Sequence, residues 1–162
     1  MSKVCYFASD IPLKEKKNPY IKTYSINQAI EAEIKIDLEL LANIDKDEPD
    51  VITWMESEES AEFPSIYMKE PYCEAPKSEK KYYAEINGIP EKDLKGIKEY
   101  ILNHMQKKKD GNTNDLELWY IWLGNDEEDI IEKTIRLDDL TEEYLKEVFE
   151  DEDTDYKIII TR

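Results

Sequence analysis

Residues 115–129 read DLELWYIWLGNDEED, an apolar run that ends at a glycine and an acidic turn. Because side chains alternate along a strand, Leu116 and Leu118 fall on one face, and Trp119 and Ile121 fall on the other. A strand that is apolar on both faces is usually covered on both. The stretch therefore predicts a strand inside the core of a sheet, with an exposed aromatic platform as the alternative.

The segments around this strand predict an alternation of strands and helices. Strands are predicted at 81–87, 116–123, 129–137 and 156–162, and helices from Pro90 to Met105 and over 141–149. The order β-α-β-β-α-β predicts an α+β fold whose sheet is ferredoxin-like, or a related mixed or antiparallel sheet with helices on one face. The ferredoxin pattern makes the first and third of these strands central, whereas here the second and fourth are the most apolar. Either the strand order differs or the N-terminal half extends and covers the sheet, and we favour the second.

The N-terminal half is less regular. Strands are predicted at 4–8, 50–56 and 65–70, and the last two are joined by a polar loop. Ser25 with Gln28 has the spacing of a capping box for a short helix over 25–32, and Asp139 with Glu142 has the same spacing before the last helix.

The proline-containing segment 70–81 is the best candidate for a linker. The chain is long enough for one domain or two small ones. We predict a single α+β domain over 1–162. The alternative is a division into an N-terminal lobe, 1–75, and a β-α-β-β-α-β lobe, 81–162.

The charge balance disfavours two classes of partner. The chain has 39 acidic and 22 basic residues, a net charge of −17, and its only arginines are Arg136 and Arg162. Nucleic acids and anionic membrane surfaces are bound mainly through lysine and arginine. We therefore expect no direct binding of nucleic acid and no binding to membranes. With two cysteines, no secretory signal and no apolar run of membrane-spanning length, the sequence predicts a cytoplasmic protein.

The same charge argument applies to the aromatic strand. Exposed aromatic side chains on a ferredoxin-like sheet can stack on RNA bases, but they need positive charge around them. Residues 125–155 contain fifteen acidic side chains and three basic ones. Stacking does not offset that repulsion, so the aromatic strand is predicted to be core.

A calcium site is suggested only in part by the acidic run at 150–155. Asp151, Asp153 and Asp155 match the first three ligand positions of an EF-hand loop. Tyr156 and Arg162, however, occupy the positions of its glycine and its bidentate glutamate. We therefore expect no metal site.

The sequence also lacks the patterns that indicate a zinc site, a reactive cysteine or a nucleotide-binding site. Cys5, Cys73 and His104 have no paired zinc-ligand spacing and no flanking residues typical of an activated thiol. There is no phosphate-binding or dinucleotide-binding glycine motif. We expect no cofactor and no enzymatic activity. Hydrolysis by a carboxylate pair stays open, because it needs only two acids at the right separation.

The acidic runs are the best candidates for a functional surface. An acidic protein can associate rapidly with a basic partner and block a basic cleft. The composition thus predicts a small acidic protein-binding module, such as a bacterial or phage inhibitor, immunity protein or DNA mimic that blocks a nuclease or another nucleic-acid-binding protein. The alternatives are a soluble domain whose acidity serves solubility only, and a small carboxylate-dependent hydrolase.

Two acidic segments are predicted to contact the basic protein partner. Their residues are Asp126, Glu127, Glu128, Asp129, Asp151, Glu152, Asp153 and Asp155. In the β-α-β-β-α-β interpretation, the first segment is a hairpin between the second and third strands, and the second leads into the last strand. Their positions relative to each other depend on the strand order. No pattern indicates an oligomeric state.

Overall fold

The structure, a computed structural model, describes residues 3–70, 78–106, 115–124 and 129–162 and has a mixed α+β fold. Its strands are β1 Lys3–Ser9, β2 Ile21–Tyr24, β3 Ile52–Met55, β4 Ser65–Met68, β5 Tyr82–Asn87, β6 Leu116–Trp122, β7 Ile131–Arg136 and β8 Tyr156–Thr161. Its α-helices are α1 Ile26–Glu31, α2 Glu58–Ala61, α3 Leu94–Gln106 and α4 Glu142–Glu150. Within these ranges, no helix combines the length and apolar character needed to cross a membrane.

The chain divides into two compact units. The sheet unit comprises Met1–Lys17 and Glu62–Arg162, and the small unit comprises Asn18–Ala61. Strands β1 and β4, which come from the N-terminal half, belong with the C-terminal half because they pair with its strands.

The sheet unit is built on six strands in the order β4-β5-β1-β6-β8-β7. Strand β1 lies between β5 and β6 and is antiparallel to both. The ferredoxin-like order is not confirmed, and the sheet is mixed because β7 and β8 are parallel. The order explains why the second and fourth predicted strands are the most apolar: β6 and β8 both lie in the interior of the sheet.

The connection from β6 to β7 is not the predicted hairpin. Strand β8 lies between them, antiparallel to β6 and parallel to β7. Two adjacent parallel strands need a crossover connection, and α4 provides it between β7 and β8. Strand β7 is thereby left at the edge of the sheet, where its mostly exposed residues include Lys133 and Arg136. Charged side chains on an edge strand oppose aggregation.

The larger core lies between one face of the sheet and helices α3 and α4. Its central side chains include Phe7, Leu116, Leu118, Ile158 and Ile160 from the sheet, Ile97, Ile101 and Met105 from α3, and Leu145, Val148 and Phe149 from α4. The apolar residues of α3 recur at the helical spacing that predicted the helix. Both helices therefore cover the same face, and we call the opposite side the open face.

The open face carries a second, smaller cluster of buried residues. Tyr6, Ala8, Trp119 and Ile121 are at most 5% exposed. The rings of Tyr6 and Trp119 stack with their centroids 5.5 Å apart and their planes 9° apart. The prediction that the aromatic strand is core is confirmed, because both of its faces contribute buried side chains.

The start of α4 differs from the predicted capping box. Asp139 ends a 3₁₀ turn that begins at Leu137, and the N-cap is Thr141, whose hydroxyl accepts from the Tyr144 N–H at 3.1 Å. The extra turn places Leu140 in the core, where it is 2% exposed. Burial of that leucine therefore overrides the local capping pattern.

The small unit consists of α1, α2 and the antiparallel pair β2 and β3, in which Ile21 faces Met55. The capping box of Ser25 and Gln28 is present at the start of α1, as predicted. Strand β2 was not predicted. The two strands predicted at 50–56 and 65–70 exist, but they belong to different sheets.

Candidate functional site

Asp129, the described residue of the first acidic segment, lies at the same end of the sheet as the second segment. Asp129, which is exposed, comes two residues before β7, and residues 151–155 lead into β8. The N–H of Ile131 donates to the carbonyl oxygen of Asp155 at 2.8 Å, and the two strands run in parallel from there. Asp129 therefore lies near the 151–155 loop. Asp126, Glu127 and Glu128 lie outside the described residues.

The 151–155 loop is folded around the ammonium group of Lys3. Lys3 Nζ donates to the carbonyl oxygens of Asp151, at 2.8 Å, and Thr154, at 2.5 Å. It lies 3.9 Å from Asp155 Oδ1 and 4.6 Å from the centroid of the Tyr120 ring. Burial lowers the pKa of Lys3, although the negative charges of Asp155 and Asp151 act in the opposite direction. The loop thus encloses a cation.

Asp155 is part of this enclosed structure. It is 3% exposed, and its Oδ1 accepts from the backbone N–H of Trp122 at 3.0 Å. The Trp122 indole N–H donates in turn to the carbonyl oxygen of Glu152 at 2.9 Å. Of the residues predicted to contact a partner, Asp155 therefore lies inside the fold, whereas Glu152 and Asp153 are exposed.

Asp151 also uses its carboxylate within the loop. The hydroxyl of Tyr156 donates to Oδ2 at 2.6 Å, and the N–H groups of Asp153 and Thr154 donate to Oδ1 at 3.1 and 3.0 Å. These hydrogen bonds, that from Tyr156 above all, lower the pKa of Asp151 to about 2. Two of the three carboxylates that match an EF-hand pattern are thus engaged by protein donors.

Replacing Tyr156 with phenylalanine should raise the pKa of Asp151 from about 2 towards its ordinary value of 3.8. The hydroxyl bonds to the ionised carboxylate, so its loss favours the protonated form. The stabilisation from this carboxylate is present above the unfolded pKa and is lost as the pH falls towards 2. Carboxyl carbon shifts followed by NMR during a pH titration measure the change. Tyr67→Phe, on the distant edge strand β4, is the control, and an unchanged Asp151 titration in Tyr156→Phe would contradict the assignment.

The outer side of α4 and its flanks carry a concentration of exposed carboxylates, which we call the α4 acidic surface. Its members are Asp138, Asp139, Glu142, Glu143, Glu147, Glu150, Glu152 and Asp153. Glu143, Glu147 and Glu150 follow the i, i+4, i+7 spacing that places side chains on one helix face. Lys146, which lies 3.8 Å from Glu150, is the one basic residue between Leu137 and Asp155.

This surface accounts for the net charge of the sheet unit. The unit has 28 acidic and 19 basic residues, a net charge of −9. Residues 137–155 contain ten acidic residues and one basic residue, which is also a net −9. The rest of the unit has eighteen of each sign. The excess negative charge of this unit is therefore concentrated in one helix and its flanks.

A second candidate site is a cavity on the open face. Its volume is about 500 Å³, and its lining includes Asp10, Lys80, Glu117, Trp119, Glu132 and Lys157. Glu117 and Trp119 come from β6, Glu132 comes from β7, and Lys157 comes from β8. Asp10 directly follows β1, and Lys80 lies shortly before β5. All of them belong to the sheet unit, so the cavity is formed by the open face and its borders.

Glu117 is the buried acid of this cavity, with 8% of the residue exposed. Its Oε2 accepts from the Trp119 indole N–H at 2.8 Å, and its Oε1 lies 3.8 Å from Lys157 Nζ. Lys157 Nζ donates to Glu132 Oε2 at 2.8 Å and lies 5.2 Å from the centroid of the Trp119 ring. The cavity floor is thus a network of two carboxylates, one ammonium and one indole.

The chemistry of Lys157 follows from this network. Burial lowers the pKa of Lys157, but the hydrogen bond to Glu132 and the charges of Glu117 and Glu132 outweigh it, so that the pKa is raised above 10.5. Lys157 therefore remains an ammonium at neutral pH. Such a group can bind an anion, but it does not act as a general base or form a Schiff base.

Sequence reasoning missed this pair, although the sequence carries a signal for it. Glu117 and Lys157 are single charges inside two otherwise apolar strands. In the β6–β8 register, Trp119 faces Lys157, and Glu117 faces Ile159 two positions away. Side chains at diagonal positions on one face lie within reach of long residues. The charges could have been matched only once β6 and β8 were known to be neighbours.

Cys5 and His104, two of the three residues considered for a cysteine–histidine site, have other roles in the fold. Cys5 is buried in the larger core, and burial raises its pKa well above the ordinary value, which disfavours the reactive thiolate. His104 is 8% exposed, and its Nε2 lies 2.8 Å from the hydroxyl oxygen of Ser9. Cys73 lies outside the described residues. The Ser9 hydroxyl is buried and also accepts from the Ile11 N–H, so it is poorly placed as a nucleophile.

Comparison with known proteins identifies no relative from which a function could be transferred. No family model, curated protein or solved structure matches this chain.

Proposed function

We propose that this protein is a binding module whose α4 acidic surface docks onto a basic protein partner. The partner class that fits best is a nuclease or another nucleic-acid-binding protein, whose basic cleft the acidic surface would cover. The protein would then act as an inhibitor or immunity-type protein in the cytoplasm. The observation that carries the proposal is the placement of the carboxylates on α4.

The carboxylates at the C-terminal end of α4 reduce the stability of the helix. The carbonyl end of a helix carries partial negative charge, and acidic residues there are unfavourable. Glu147, Glu150 and Asp151 nevertheless lie at the C-terminal end of α4, and its last turn has no basic residue. Glu143 and Glu147 add a repulsive i, i+4 pair. Acids that served only solubility could lie anywhere on the surface at lower cost, so this concentration favours recognition.

Reversing the charge on the α4 acidic surface should abolish capture of the partner. The α4 variant carries three substitutions, Glu143→Lys, Glu147→Lys and Glu150→Lys. A matched control carries three in the small unit, Asp37→Lys, Glu39→Lys and Glu48→Lys. Both sets change the net charge of the protein by the same amount. Each is immobilised and used to capture proteins from an extract of the native host. The wild type and the control should retain the same basic protein at about 50 mM salt and release it at about 500 mM. With that protein purified, the α4 variant should associate at least about tenfold more slowly.

Equal losses in the two variants would mean that only net charge matters, and the proposal would fail. Capture of the same proteins by all three forms at both salt concentrations would also refute it. Acidity that serves solubility alone predicts that no protein is retained by the wild type and lost by the α4 variant.

A further inference from the structure

The open-face cavity is separate from the α4 acidic surface. Glu117 and Trp119 project from β6 on the side opposite to Leu116 and Leu118, which pack in the core beneath α3 and α4. The cavity and α4 thus lie on opposite faces of the sheet. A function for the cavity is therefore independent of the proposed docking on α4.

The polar groups of the cavity can accept further hydrogen bonds and can also donate further ones. Glu117 Oε1 lies 3.8 Å from Lys157 Nζ, which is longer than a direct hydrogen bond of ordinary geometry. Lys157 donates one hydrogen bond to the carboxylate of Glu132, and Lys80 donates one to the carboxylate of Asp10 at 2.9 Å. A carboxylate accepts about four hydrogen bonds and an ammonium donates three. The cavity therefore offers both an acceptor for a cation and donors for an anion.

The burial of Glu117 is not explained by stability. Replacing a buried ion pair with apolar residues of similar size is often neutral or stabilising. The neighbours of Glu117 along β6, Leu116 and Leu118, show that this strand accommodates leucine on its other face. A charged pair retained on the floor of a cavity is better explained by a ligand that it binds.

The balance of charges around the cavity selects the class of ligand. Asp10, Glu79, Glu117 and Glu132 are acidic, and Lys80 and Lys157 are basic. A simple anion would meet four carboxylates, and a simple amine would meet two ammonium groups. A small molecule that carries one charge of each sign can place each against its opposite. The volume of about 500 Å³ lies within the range of small-molecule sites.

We propose that the open-face cavity binds a small zwitterion, namely a free α-amino acid or a compound with the same pair of charges. Its ammonium group donates to Glu117 Oε1, and its carboxylate accepts from Lys157 and Lys80. Ile130 and the edge of Trp119, which also line the cavity, contact its side chain.

The ligand series tests the charge pattern on the wild-type protein. Saturation-transfer NMR with the twenty free amino acids identifies those that bind, and calorimetry compares each with its amide, which is only cationic, and its N-acetyl form, which is only anionic. At least one free amino acid should bind, and both derivatives should bind at least tenfold more weakly. Absence of binding by all twenty at millimolar concentration would overturn the proposal, as would equal binding of a derivative.

The variant series tests the location. Glu117→Gln keeps the size of the side chain and removes its charge, and it should weaken binding at least tenfold. Glu56→Gln, an exposed position of the small unit, should bind as the wild type does. If circular dichroism shows that Glu117→Gln does not fold, Lys80→Gln on the cavity wall should show the same loss. A folded Glu117→Gln with wild-type affinity would refute the site. The charge-reversed α4 variant should retain amino-acid binding, which separates this proposal from the docking proposal.

Discussion

Replacement of Lys3 with methionine is expected to reduce the free energy of unfolding by about 3–5 kcal/mol. The ammonium of Lys3 lies beside the buried carboxylate of Asp155, and the two side chains are 4% and 2% exposed. Its removal takes the ammonium away from the buried carboxylate of Asp155 and takes the donor from two carbonyl oxygens, those of Asp151 and Thr154. Urea unfolding of the wild type and Lys3→Met measures the difference.

A double-mutant cycle separates the ion pair from the loss of packing. Asp155→Asn keeps an acceptor for the Trp122 N–H and removes the charge. The double variant Lys3→Met, Asp155→Asn should therefore be more stable than the sum of the single effects predicts, by about 1 kcal/mol or more. Lys95→Met, at an exposed position of α3, should change stability by no more than about 0.5 kcal/mol. A cost below about 1 kcal/mol for Lys3→Met would show that the 151–155 loop does not depend on this cation.

Replacement of Trp119 with alanine is expected to cost about 3–5 kcal/mol, the range for deleting a large aromatic side chain from a core. Trp119 is 5% exposed and is stacked on Tyr6, and Lys157 lies over its ring. Its indole N–H also donates to the buried carboxylate of Glu117. Thermal and urea unfolding of the purified variant measure the loss.

Two further substitutions show which property of Trp119 matters. Trp119→Phe keeps an aromatic ring but removes the N–H, so it should cost about 1–3 kcal/mol because Glu117 loses its donor. Trp122→Ala truncates a half-buried ring of the same strand and should cost less than Trp119→Ala. If Trp119→Ala were no more destabilising than Trp122→Ala, Trp119 would not be a core residue, and the floor of the open-face cavity would need another explanation.

The acidic segment at 150–155 shows why composition alone misleads about a surface. Its residues look equivalent in the sequence, yet Asp151 and Asp155 turn inwards and Glu152 and Asp153 remain exposed. The carboxylates of Asp151 and Asp155 accept hydrogen bonds from within the protein and hold the loop before β8. The exposed ones continue the α4 acidic surface. One acidic run thus serves both folding and, in our proposal, recognition.

Local patterns in the sequence predicted the strands and α-helices of the sheet unit, but not β2 or α2 of the small unit. The continuous apolar run predicted β6 and its burial on both faces, and the helical spacing of Ile97 and Ile101 predicted α3. Such patterns are readable because each element must turn its own apolar side chains towards the core. The concentration of negative charge after residue 137 was likewise visible in the sequence, because charge does not depend on the fold.

Only the tertiary structure decided which elements meet. The insertion of β1 between β5 and β6 brings Lys3 beside the 151–155 loop at the other end of the chain, and the pairing of β6 with β8 brings Glu117 to Lys157. Sheet neighbours are chosen by packing and hydrogen bonding between segments that are distant in sequence, and no local periodicity encodes that choice. The burial of Asp155, the edge position of β7 and the open-face cavity all follow from the order of the strands, which is why they could not be read from the residues alone.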